Sequence, residues 1–275
     1  MTSGSIVLYK TDIPMVSEVI HSFFKGDSSG RILYLVDNSP TDELKVLKDL
    51  YPNQIDYIFC NDNLGYGKAH NIAIRKSIEA GQRYHVVLNP DLSFNAETIK
   101  GLEQFMNENP EVGACIPDMT NQDGSRCYSS KLLPSLSIGI YRRFLPNSSK
   151  TKRLNEEYHL KFADNSKVYD IPSISGCFMF LRISALKEVG LFDERFFMYY
   201  EDIDFSRRIR KKFRVCHVPT VHAMHISGKA AYKSKKMLMI LIRNGIKYFN
   251  KYHWFLDFEG KRMNKEALIN VPRLK

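Results

Sequence analysis

The stretch YHVVLNPD, residues 84–91, joins a short, largely apolar run to a polar turn. Such a run is typical of a buried strand, and the Asn-Pro-Asp sequence stops it. On both sides of it, similar short runs alternate with longer segments of helical periodicity. This alternation predicts an α/β fold with a Rossmann-like, mostly parallel sheet flanked by helices. The predicted strands are residues 5–9, 31–36, 56–59, 84–88 and 112–116, and the predicted helices are residues 14–24, 43–50, 96–107 and one that ends near residue 80.

The composition predicts one large globular domain, or a domain with an appendage. The chain has 275 residues, of which 44% are hydrophobic and 25% charged, which is ordinary for a folded protein. Its first residues show no signal-peptide pattern, and the apolar run at 237–242 is far shorter than the roughly 20 residues of a membrane span. Five scattered cysteines without a C-x-x-C pair indicate reduced thiols in a cytoplasm.

The regular alternation ends after Pro117. Residues 134–165 are polar and irregular, and we expect substrate recognition there, because loops on a rigid scaffold carry it. Order returns at the end of the chain with further predicted elements. These are a strand at 176–182, a helix capped by Ser184, a strand at 214–218, a loop at 222–228 and a helix at 230–252.

The positive charge of the chain is concentrated near its end. Residues 205–256 contain thirteen Lys and Arg and no Asp or Glu. Because the whole chain carries a net charge of +10, the remainder is slightly negative. Such a field attracts an anionic partner, and the candidates are a membrane surface, a nucleic acid or a phosphorylated substrate. A basic face that is merely solvated is the alternative.

The stretch FFMYYEDIDFSRRIRKK, residues 196–212, places an aromatic run before three carboxylates, Glu201, Asp202 and Asp204. The carboxylates fall at the start of a predicted helix, where unpaired N–H groups favour negative charge. Helix capping therefore explains one or two of them. The aromatic residues beside them suit a pocket for a sugar ring, and the residues alone leave both interpretations open.

Three predicted strand ends carry distinctive polar residues, at 37–38, 63–71 and 89–91. Ligands of open α/β sheets bind at the carboxyl ends of the strands, so these residues should meet in one crevice. In the loop NLGYGKAHN, Gly65 and Gly67 would let the backbone approach a phosphate or a ribose. His70 replaces the third glycine of a dinucleotide fingerprint, which disfavours a dehydrogenase. A simple helix start is the alternative explanation of the glycines.

Asp91 follows a buried strand and is placed to hold a divalent cation that bridges a diphosphate. An ordinary turn is the alternative for this sequence. His222 and His225 lie three residues apart without the companions of a zinc site. Either one can be structural, but an imidazole can also complete a metal shell, and we favour His225 because Ser227-Gly228 leave space for phosphate.

Together, these segments resemble the ordered motifs of glycosyltransferase family 2. Within that family they are most similar to bacterial rhamnosyltransferases that build O-antigen and capsule. The resemblance runs from the first strand to about Gly228, and no single motif carries it. The motifs are DNS at 37–39, NLGYGKAHN at 63–71, NPD at 89–91, SGCFM at 175–179, GLFD at 190–193, FMYYEDID at 197–204 and HAMH at 222–225.

The resemblance implies a GT-A fold and an inverting transfer from a nucleotide-sugar. It implies that Asp202 is the general base and that Asp37 contacts the nucleotide. From their position beside this base, Glu201 and Asp204 would orient it or hydrogen-bond, with a helix cap as the favoured role of Asp204. Asn89 stands in place of the first carboxylate of the family's D-x-D motif. Asp91 would therefore bind Mg²⁺ or Mn²⁺ with His225, and metal dependence is in question. The implied donor-binding residues are Asp37, Asn63, Gly65, Tyr66, Gly67, Asn71, Asn89, Asp91 and Gly176.

The resemblance also implies a domain division. Residues 1–228 would form the GT-A domain, with a nucleotide-sugar-binding half at 1–117 and an acceptor or catalytic half at 118–228. Residues 229–275 would form a basic helical region that contacts a membrane surface or a second copy in a homodimer. Lysines and aromatic residues suit an anionic interface; the aromatic residues are Tyr248, Phe249, Tyr252, Trp254 and Phe255.

The expected donor is dTDP-rhamnose, and a galactosyl or other hexosyl transferase using a UDP-sugar is the alternative. The expected acceptor is a saccharide on undecaprenyl diphosphate, used for O-antigen, capsule or cell-wall polysaccharide. This places the protein in the cytoplasm, peripherally on the inner face of the cell membrane. A nucleic-acid-binding protein is disfavoured, because no such motif is present and the acids at 201, 202 and 204 would repel phosphates. A silent homologue that only binds nucleotide is the remaining alternative.

Overall fold

The computed structural model describes residues 1–26, 28–226 and 235–274. Its strands are β1 Thr2–Leu8, β2 Ile32–Asp37, β3 Ile55–Phe59, β4 Tyr84–Leu88, β5 Leu92–Phe94, β6 Val112–Asn121, β7 Ser130–Lys131, β8 Tyr169–Asp170, β9 Ser173–Ile174, β10 Phe178–Arg182 and β11 Arg214–His225. Its α-helices are α1 Ile13–Phe24, α2 Tyr66–Glu79, α3 Ala96–Glu108, α4 Leu136–Phe144, α5 Ser149–Tyr158, α6 Ile183–Val189, α7 Glu201–Arg210, α8 Lys235–Lys251 and α9 Phe258–Asn270. Short 3₁₀ segments lie at Glu43–Leu50 and Trp254–Leu256.

The main sheet has the strand order β3-β2-β1-β4-β10-β6-β11-β5, with β8 paired to β11. Strands β3, β2, β1 and β4 are parallel to one another. Strand β10 runs antiparallel between β4 and β6, and β11 then runs parallel to β6. The predicted α/β class is confirmed, and the carboxyl ends of the first four strands lie at one edge.

Strand β4, in the middle of this sheet, is buried along its whole length. Val86 and Leu88 pack in one core with Ile6 of β1 and Phe178 and Phe180 of β10, all fully buried. Full burial on both faces explains why YHVVL has no polar and apolar alternation. The strand ends that carry the polar motifs are therefore fixed by the most buried part of the molecule.

Helix starts follow local capping chemistry in the first half of the chain. Asp12 caps α1 by accepting a hydrogen bond from the Met15 N–H at 3.2 Å, and a proline stands in the first turn. Asn95 caps α3 in the same way through the Glu97 N–H. Side-chain caps of this kind satisfy N–H groups that the helix itself cannot pair.

Two local predictions were wrong. Ser184 is not a cap, since α6 already begins at Ile183 and Arg182 occupies the cap position. His222 and His225 do not lie in a loop, because β11 continues past a register shift between Val218 and His222 and stays paired with β6. The predicted helix at Glu43–Leu50 is confirmed at these bounds and is of the 3₁₀ type. Ser227 and Gly228 lie outside the described residues.

The C-terminal region folds back onto the main body. Ala267 and Val271 of the α9 region belong to the same hydrophobic core as the sheet, and the Asp164 N–H donates to the Pro272 carbonyl at 2.8 Å. No helix in the described part of the chain is long and apolar enough to cross a membrane. The domain boundary at residue 228 falls within 227–234, outside the described residues, and stays a prediction.

Candidate active site

The stretch that begins α7 has an unusual backbone. Tyr199 and Tyr200, directly before Glu201, both have a φ of 69°, in the left-handed region that side chains other than glycine rarely adopt. Each such residue costs about 1–3 kcal/mol and persists only where the surroundings enforce it. The two tyrosines aim the first turn of α7, which carries Glu201 and Asp202, into the crevice.

The structure brings Asp202 together with three other predicted site residues. Its Oδ2 accepts a hydrogen bond from the Gly176 N–H at 3.0 Å, and its Oδ1 accepts from the Ile203 N–H at 2.9 Å. The Tyr66 hydroxyl donates to the Gly176 carbonyl at 2.6 Å and lies 3.1 Å from Oδ1 of Asn89. Asp202 is half-buried. A chain of hydrogen bonds through Gly176 and Tyr66 joins it to Asn89 at the end of β4.

Glu201 differs from its neighbour in its environment. Its side chain is buried, and its Oε2 has no hydrogen-bond partner among the described residues. Burial, and then the charge of Asp202, raise the pKa of Glu201 well above its usual value. Two adjacent carboxyl groups thus divide their roles, because Glu201 favours the neutral form while the more exposed Asp202 holds two N–H donors suited to a carboxylate.

Asp91 and His225 are neighbours, as the metal hypothesis requires. Nε2 of His225 lies 3.3 Å from Oδ1 of Asp91, and the Ile226 N–H donates to the Asp91 carbonyl at 2.8 Å. Nε2 of His225 is buried and makes no hydrogen bond to any described residue. One carboxylate and one imidazole fit a cation that takes its remaining ligands from phosphate and water. Across residues 1–26, 28–226 and 235–274, no three His, Cys, Asp or Glu side chains form a complete metal cluster.

Asp37 lies at the end of β2 and is fully buried. Its carboxylate accepts hydrogen bonds from the Tyr57 hydroxyl at 2.6 Å and the Ser39 N–H at 2.8 Å. Burial and this hydrogen bond to Asp37 raise the pKa of Tyr57. The carboxylate thus shapes the turn after β2, while its contact with a nucleotide stays a prediction.

The two glycines of the 63–71 loop are explained by packing. A Cβ on Gly65, whose φ is 84°, would lie 2.3 Å from the Phe197 carbonyl oxygen, and one on Gly67 would lie 2.9 Å from Phe192. Phe197 and Phe192 therefore account for both glycines on the side where a Cβ would lie, while the approach of the loop backbone to a phosphate or a ribose stays a prediction. Asn63 caps the turn by accepting from the Gly65 N–H at 3.2 Å.

Asn71 holds the segment that leads into the catalytic stretch. Its amide donates to the Phe192 carbonyl at 2.9 Å and to Glu194 at 3.0 Å, and it accepts from the Phe192 N–H at 3.0 Å. It is buried. Its amide is therefore engaged with the protein itself, and its contact with the donor stays a prediction.

A cleft of about 430 Å³ opens beside the strand ends and was not anticipated from the sequence. Tyr9, Asn63 and Phe197 line it together with residues of helix α8. Helix α8 contributes Arg243 and Lys247, whose spacing of four residues places them on one helix face. The cations of residues 205–256 are visible in the sequence, but their pattern does not show that Arg243 and Lys247 line a cleft.

Lys131 of β7 is a second residue that the sequence analysis missed. Burial disfavours its charge, yet the attraction of neighbouring groups, including Asp202, outweighs this and raises the pKa of Lys131. Lys131 therefore stays a cation beside the candidate base. An isolated Ser-Lys pair after an irregular segment gave no sequence signal for this position.

Many cations of the basic segment, residues 205–256, form ion pairs within the protein. Among the described residues, seven cations of this segment form ion pairs with acids that lie outside residues 205–256, namely Arg207, Arg208, Arg210, Lys211, Lys212, Arg214 and Lys251. Arg207 is fully buried and binds Asp257 through two nitrogens at 2.6 and 2.5 Å. Lys229 and Lys233 lie outside the described residues. The net charge of this segment thus overstates the positive surface that it presents.

The prediction that Asp204 is a helix cap was wrong. Tyr200 occupies the cap position of α7, and the Asp204 carboxylate is fully buried. It lies 2.9 Å from Arg208 and 2.5 Å from Lys251 and accepts from the Tyr252 hydroxyl at 2.8 Å. Asp204 therefore ties α7 to the end of α8.

Comparison with known proteins identifies the family and several relatives of this chain. The family model described as Glycosyl transferase family 2 matches residues 6–190. The N-acetylglucosaminyl-diphospho-decaprenol L-rhamnosyltransferase of Mycobacterium tuberculosis is 31% identical over 205 residues, which cover 70% of this chain and 65% of that protein. The chain thus spans slightly less than two thirds of this relative's length. Rhamnosyltransferase WbbL of Escherichia coli is 29% identical, with 69% of this chain and 70% of that protein covered.

A solved structure shows the same architecture. The crystal structure of GalNAc-T7 with UDP, GalNAc and Mn²⁺ superposes with a TM-score of 0.63 at 17% identity, covering 88% of this chain and 47% of that one. At this identity the likeness shows the fold alone, and it confirms the predicted GT-A architecture. With the family match over residues 6–190, the chain belongs to glycosyl transferase family 2.

Proposed function

We propose that this chain is an inverting glycosyltransferase in which Asp202 is the general base. The observation that carries the proposal is the pairing of a half-buried Asp202, held by two N–H donors, with a buried Glu201 whose pKa is raised. Asp202 takes the proton of the acceptor hydroxyl as that oxygen bonds to the anomeric carbon. The bond from this carbon to the diphosphate breaks on the opposite face, which inverts the configuration.

The surrounding residues support this single displacement. The Gly176 N–H and the Ile203 N–H stabilise the Asp202 carboxylate and fix its orientation. Tyr66 ties Gly176 to the end of β4, where Asn89 and Asp91 would face the leaving group. Asp91 and His225 would hold a Mg²⁺ or Mn²⁺ ion, which supplies positive charge to the departing diphosphate. Arg243 and Lys247 of the cleft would add charge for the donor.

The proposed donor is dTDP-rhamnose and the proposed acceptor is a saccharide on a polyprenyl diphosphate such as undecaprenyl diphosphate. The name of the mycobacterial relative, a diphospho-decaprenol L-rhamnosyltransferase, supports the rhamnosyl group and the polyprenyl diphosphate acceptor. The name of the second relative, a rhamnosyltransferase, supports the rhamnosyl group. A UDP-sugar donor is the alternative, since the structural neighbour was crystallised with UDP. The cleft beside Tyr9 and Asn63 gives such a nucleotide a place next to the strand ends.

The decisive experiment is a donor screen followed by a transfer assay. Thermal stabilisation by one nucleotide-sugar over its nucleoside diphosphate, measured with and without Mn²⁺, identifies donor and metal need. In the transfer assay Asp202→Asn should lower kcat by about 10³-fold, within the range typical of a lost general base, and leave donor affinity within about twofold. Asp49→Asn, at an exposed position, is the control. A variant at position 202 that keeps more than a tenth of wild-type kcat would refute the assignment.

We also propose that the protein contacts an anionic membrane surface through the 3₁₀ segment Trp254–Leu256 and Phe258. Phe255 and Phe258 are each 71% exposed and Leu256 is 65% exposed, and the exposed Lys261 and Lys265 lie on the adjoining helix. Apolar side chains beside cations are suited to an anionic interface. The expectation that Tyr248 and Tyr252 face this interface was wrong, because both are buried.

A vesicle sedimentation assay separates this surface from its alternatives. Phe255→Ser with Leu256→Ser should release the protein from vesicles that contain anionic lipid, and Lys235→Glu with Lys236→Glu should weaken binding in a salt-dependent way. Binding unchanged in both variants would refute membrane contact. A shift from dimer to monomer in Phe255→Ser with Leu256→Ser, measured by sedimentation velocity, would instead assign the exposed surface to a homodimer.

A further inference from the structure

Helix α8 lies beyond the family match at residues 6–190. It nevertheless packs directly on residues 193–204, the segment that carries the candidate base Asp202. Phe196 of that segment forms a small separate core with Tyr248 and Tyr252, and Tyr200 and Ile203 pack against it. Residues 244, 245 and 248 of α8, and Tyr252 directly after its end, lie on the side of this core, at the spacing of one helix face. This core is separate from the hydrophobic core under the main sheet.

The contacts of α8 fall at the two residues with left-handed backbone. The buried Asn244 donates a hydrogen bond to the Met198 carbonyl at 2.7 Å, one peptide before Tyr199. The ring of Tyr200 lies on Gly245, where a Cβ would come within 3.1 Å of the Tyr200 hydroxyl. The rings of Tyr200 and Tyr248 have centroids 5.3 Å apart. The hydrogen bond from Asn244 and the packing of the Tyr200 ring on Gly245 thus act at the two residues with positive φ, Tyr199 and Tyr200.

Ion pairs fix α8 against the elements on either side of this segment. Lys251 lies 2.8 Å from Asp193 at the start of the segment and 2.5 Å from Asp204 in α7. Lys247 donates to the Arg195 carbonyl at 2.6 Å. On the opposite side, the Phe197 carbonyl accepts from the Tyr66 N–H at 2.8 Å. The segment is therefore held between α2 and α8.

From these contacts we propose that α8 is a positioning element, in which Asn244 and Gly245 hold Tyr199 and Tyr200 in the left-handed conformation and thereby fix Asp202. Without the hydrogen bond to the Met198 carbonyl and the flat surface at Gly245, the tyrosines relax to ordinary backbone angles. The first turn of α7 then rotates, and Asp202 loses the Gly176 N–H. The role of Asp202 rests on the proposed function, whereas the clamp on residues 198–200 does not.

Hydrogen exchange measured by mass spectrometry tests the clamp on the whole chain without any substrate. In Asn244→Ala and in Gly245→Ala, the amides of residues 196–203 should exchange at least about tenfold faster, while those of β1 and β4 keep wild-type rates. Ile246→Ala, on the exposed side of α8, and Gly139→Ala, where a Cβ meets nothing within 4 Å, are matched controls and should exchange like wild type. Unchanged exchange in both test variants would overturn the proposal.

Kinetics test the consequence for Asp202 separately. Both variants should lower kcat about tenfold or more. In Gly245→Ala the KM for the donor should stay within about twofold, because Gly245, unlike Asn244, does not line the donor cleft. The acid limb of the kcat profile should move to higher pH, because loss of the Gly176 N–H removes a hydrogen bond that favours the charged base. Partial unfolding would lower the active fraction without moving this limb. Faster exchange with an unmoved limb and unchanged kcat would also overturn the proposal, whereas a wild-type protein inactive with every donor would overturn the proposed function and leave the exchange result valid.

Discussion

The strand-end side of the candidate site, with Asp37, Asn89 and Asp91, differs from the loop side, with Asp202, in what holds it. The strand ends follow β2 and β4, which pair in register with β1 along their length. The residues directly before Asp202 form no strand. They pack instead against Asn244, Gly245 and the ring of Tyr248 in α8. Regular backbone pairing builds one side, and long-range side-chain packing builds the other.

This difference matters for how each side responds to mutation. A strand inside a sheet keeps its position when one end residue changes, because many backbone hydrogen bonds to the neighbouring strands hold it. A loop whose two left-handed tyrosines depend on a few contacts loses its shape when one contact is removed. We therefore expect the donor side to tolerate distant substitutions and the base side to be sensitive to substitutions in α7, α8 and α9.

The largest expected effect comes from removing the anchor between α7 and α8. Asp204→Ala leaves Lys251 and the Tyr252 hydroxyl without their buried carboxylate and removes the partner of Arg208. Breaking one half of a buried ion pair costs about 3–5 kcal/mol. We expect a melting temperature lower by about 10 °C, at about 2–4 °C per kcal/mol for a chain of this size, measured by calorimetry and urea titration.

Asp49→Ala is the control for this prediction, since Asp49 is exposed. It should change the free energy of unfolding by less than about 0.5 kcal/mol. If Asp204→Ala cost no more than the control, α8 would not be anchored through α7. The contrast between the two sides of the site would then lose its physical basis.

The same contrast explains what the sequence could predict. Strand β4 was placed at its observed bounds, Tyr84–Leu88, because a short apolar run ending at Asn-Pro is a local signal. The helix from Ala96 was recovered for the same reason, with Asn95 as its cap. Motif order identified the family, and the strand ends do meet. The strand and the helix depend on residues within a few positions of one another, and the family depends on short local motifs read in their order along the chain.

The features that were missed depend on residues far apart in the chain. Asp204 was taken as a cap because nothing near it shows that Tyr252, 48 residues later, donates to it. The inward ion pairs of Arg207 were hidden for the same reason, since its partner Asp257 follows 50 residues later. The packing of Phe197 and Phe192 against Gly65 and Gly67 was hidden in the same way, because only the fold brings them together. Charge counts and motifs carry no such information.

A second prediction tests the strand-end side through its two histidines. His225 lies 3.3 Å from Asp91, whereas His222 is the more exposed and lies 3.5 Å from Asp118. If Asp91 and His225 hold the cation, His225→Ala should weaken Mn²⁺ affinity by about 10 to 100-fold, the size typical when a group supporting a metal site is lost. His222→Ala should stay within about twofold. Titration of Mn²⁺ by thermal shift in the presence of nucleoside diphosphate measures both, and equal behaviour of the two variants would argue against this metal site.

The smallest effect, and the one that sharpens the base side most, concerns Glu201. Its raised pKa, caused by burial and then by Asp202, means that the folded protein keeps a proton that the unfolded chain releases above a pH near 4.5. Stability from this group is therefore present at low pH and is lost as the pH rises through the folded pKa.

Glu201→Gln replaces the neutral acid with a neutral amide and should remove this loss. Its melting temperature should match wild type at pH 5 and exceed it at pH 8, by about 2–4 °C if the buried charge costs about 1 kcal/mol. Calorimetry of both proteins across this range measures the difference, and a gap that does not grow with pH would show that Glu201 ionises like an exposed acid. In that case the division of roles between Glu201 and Asp202 would fail, because two charged carboxylates at the start of α7 would have no reason to differ.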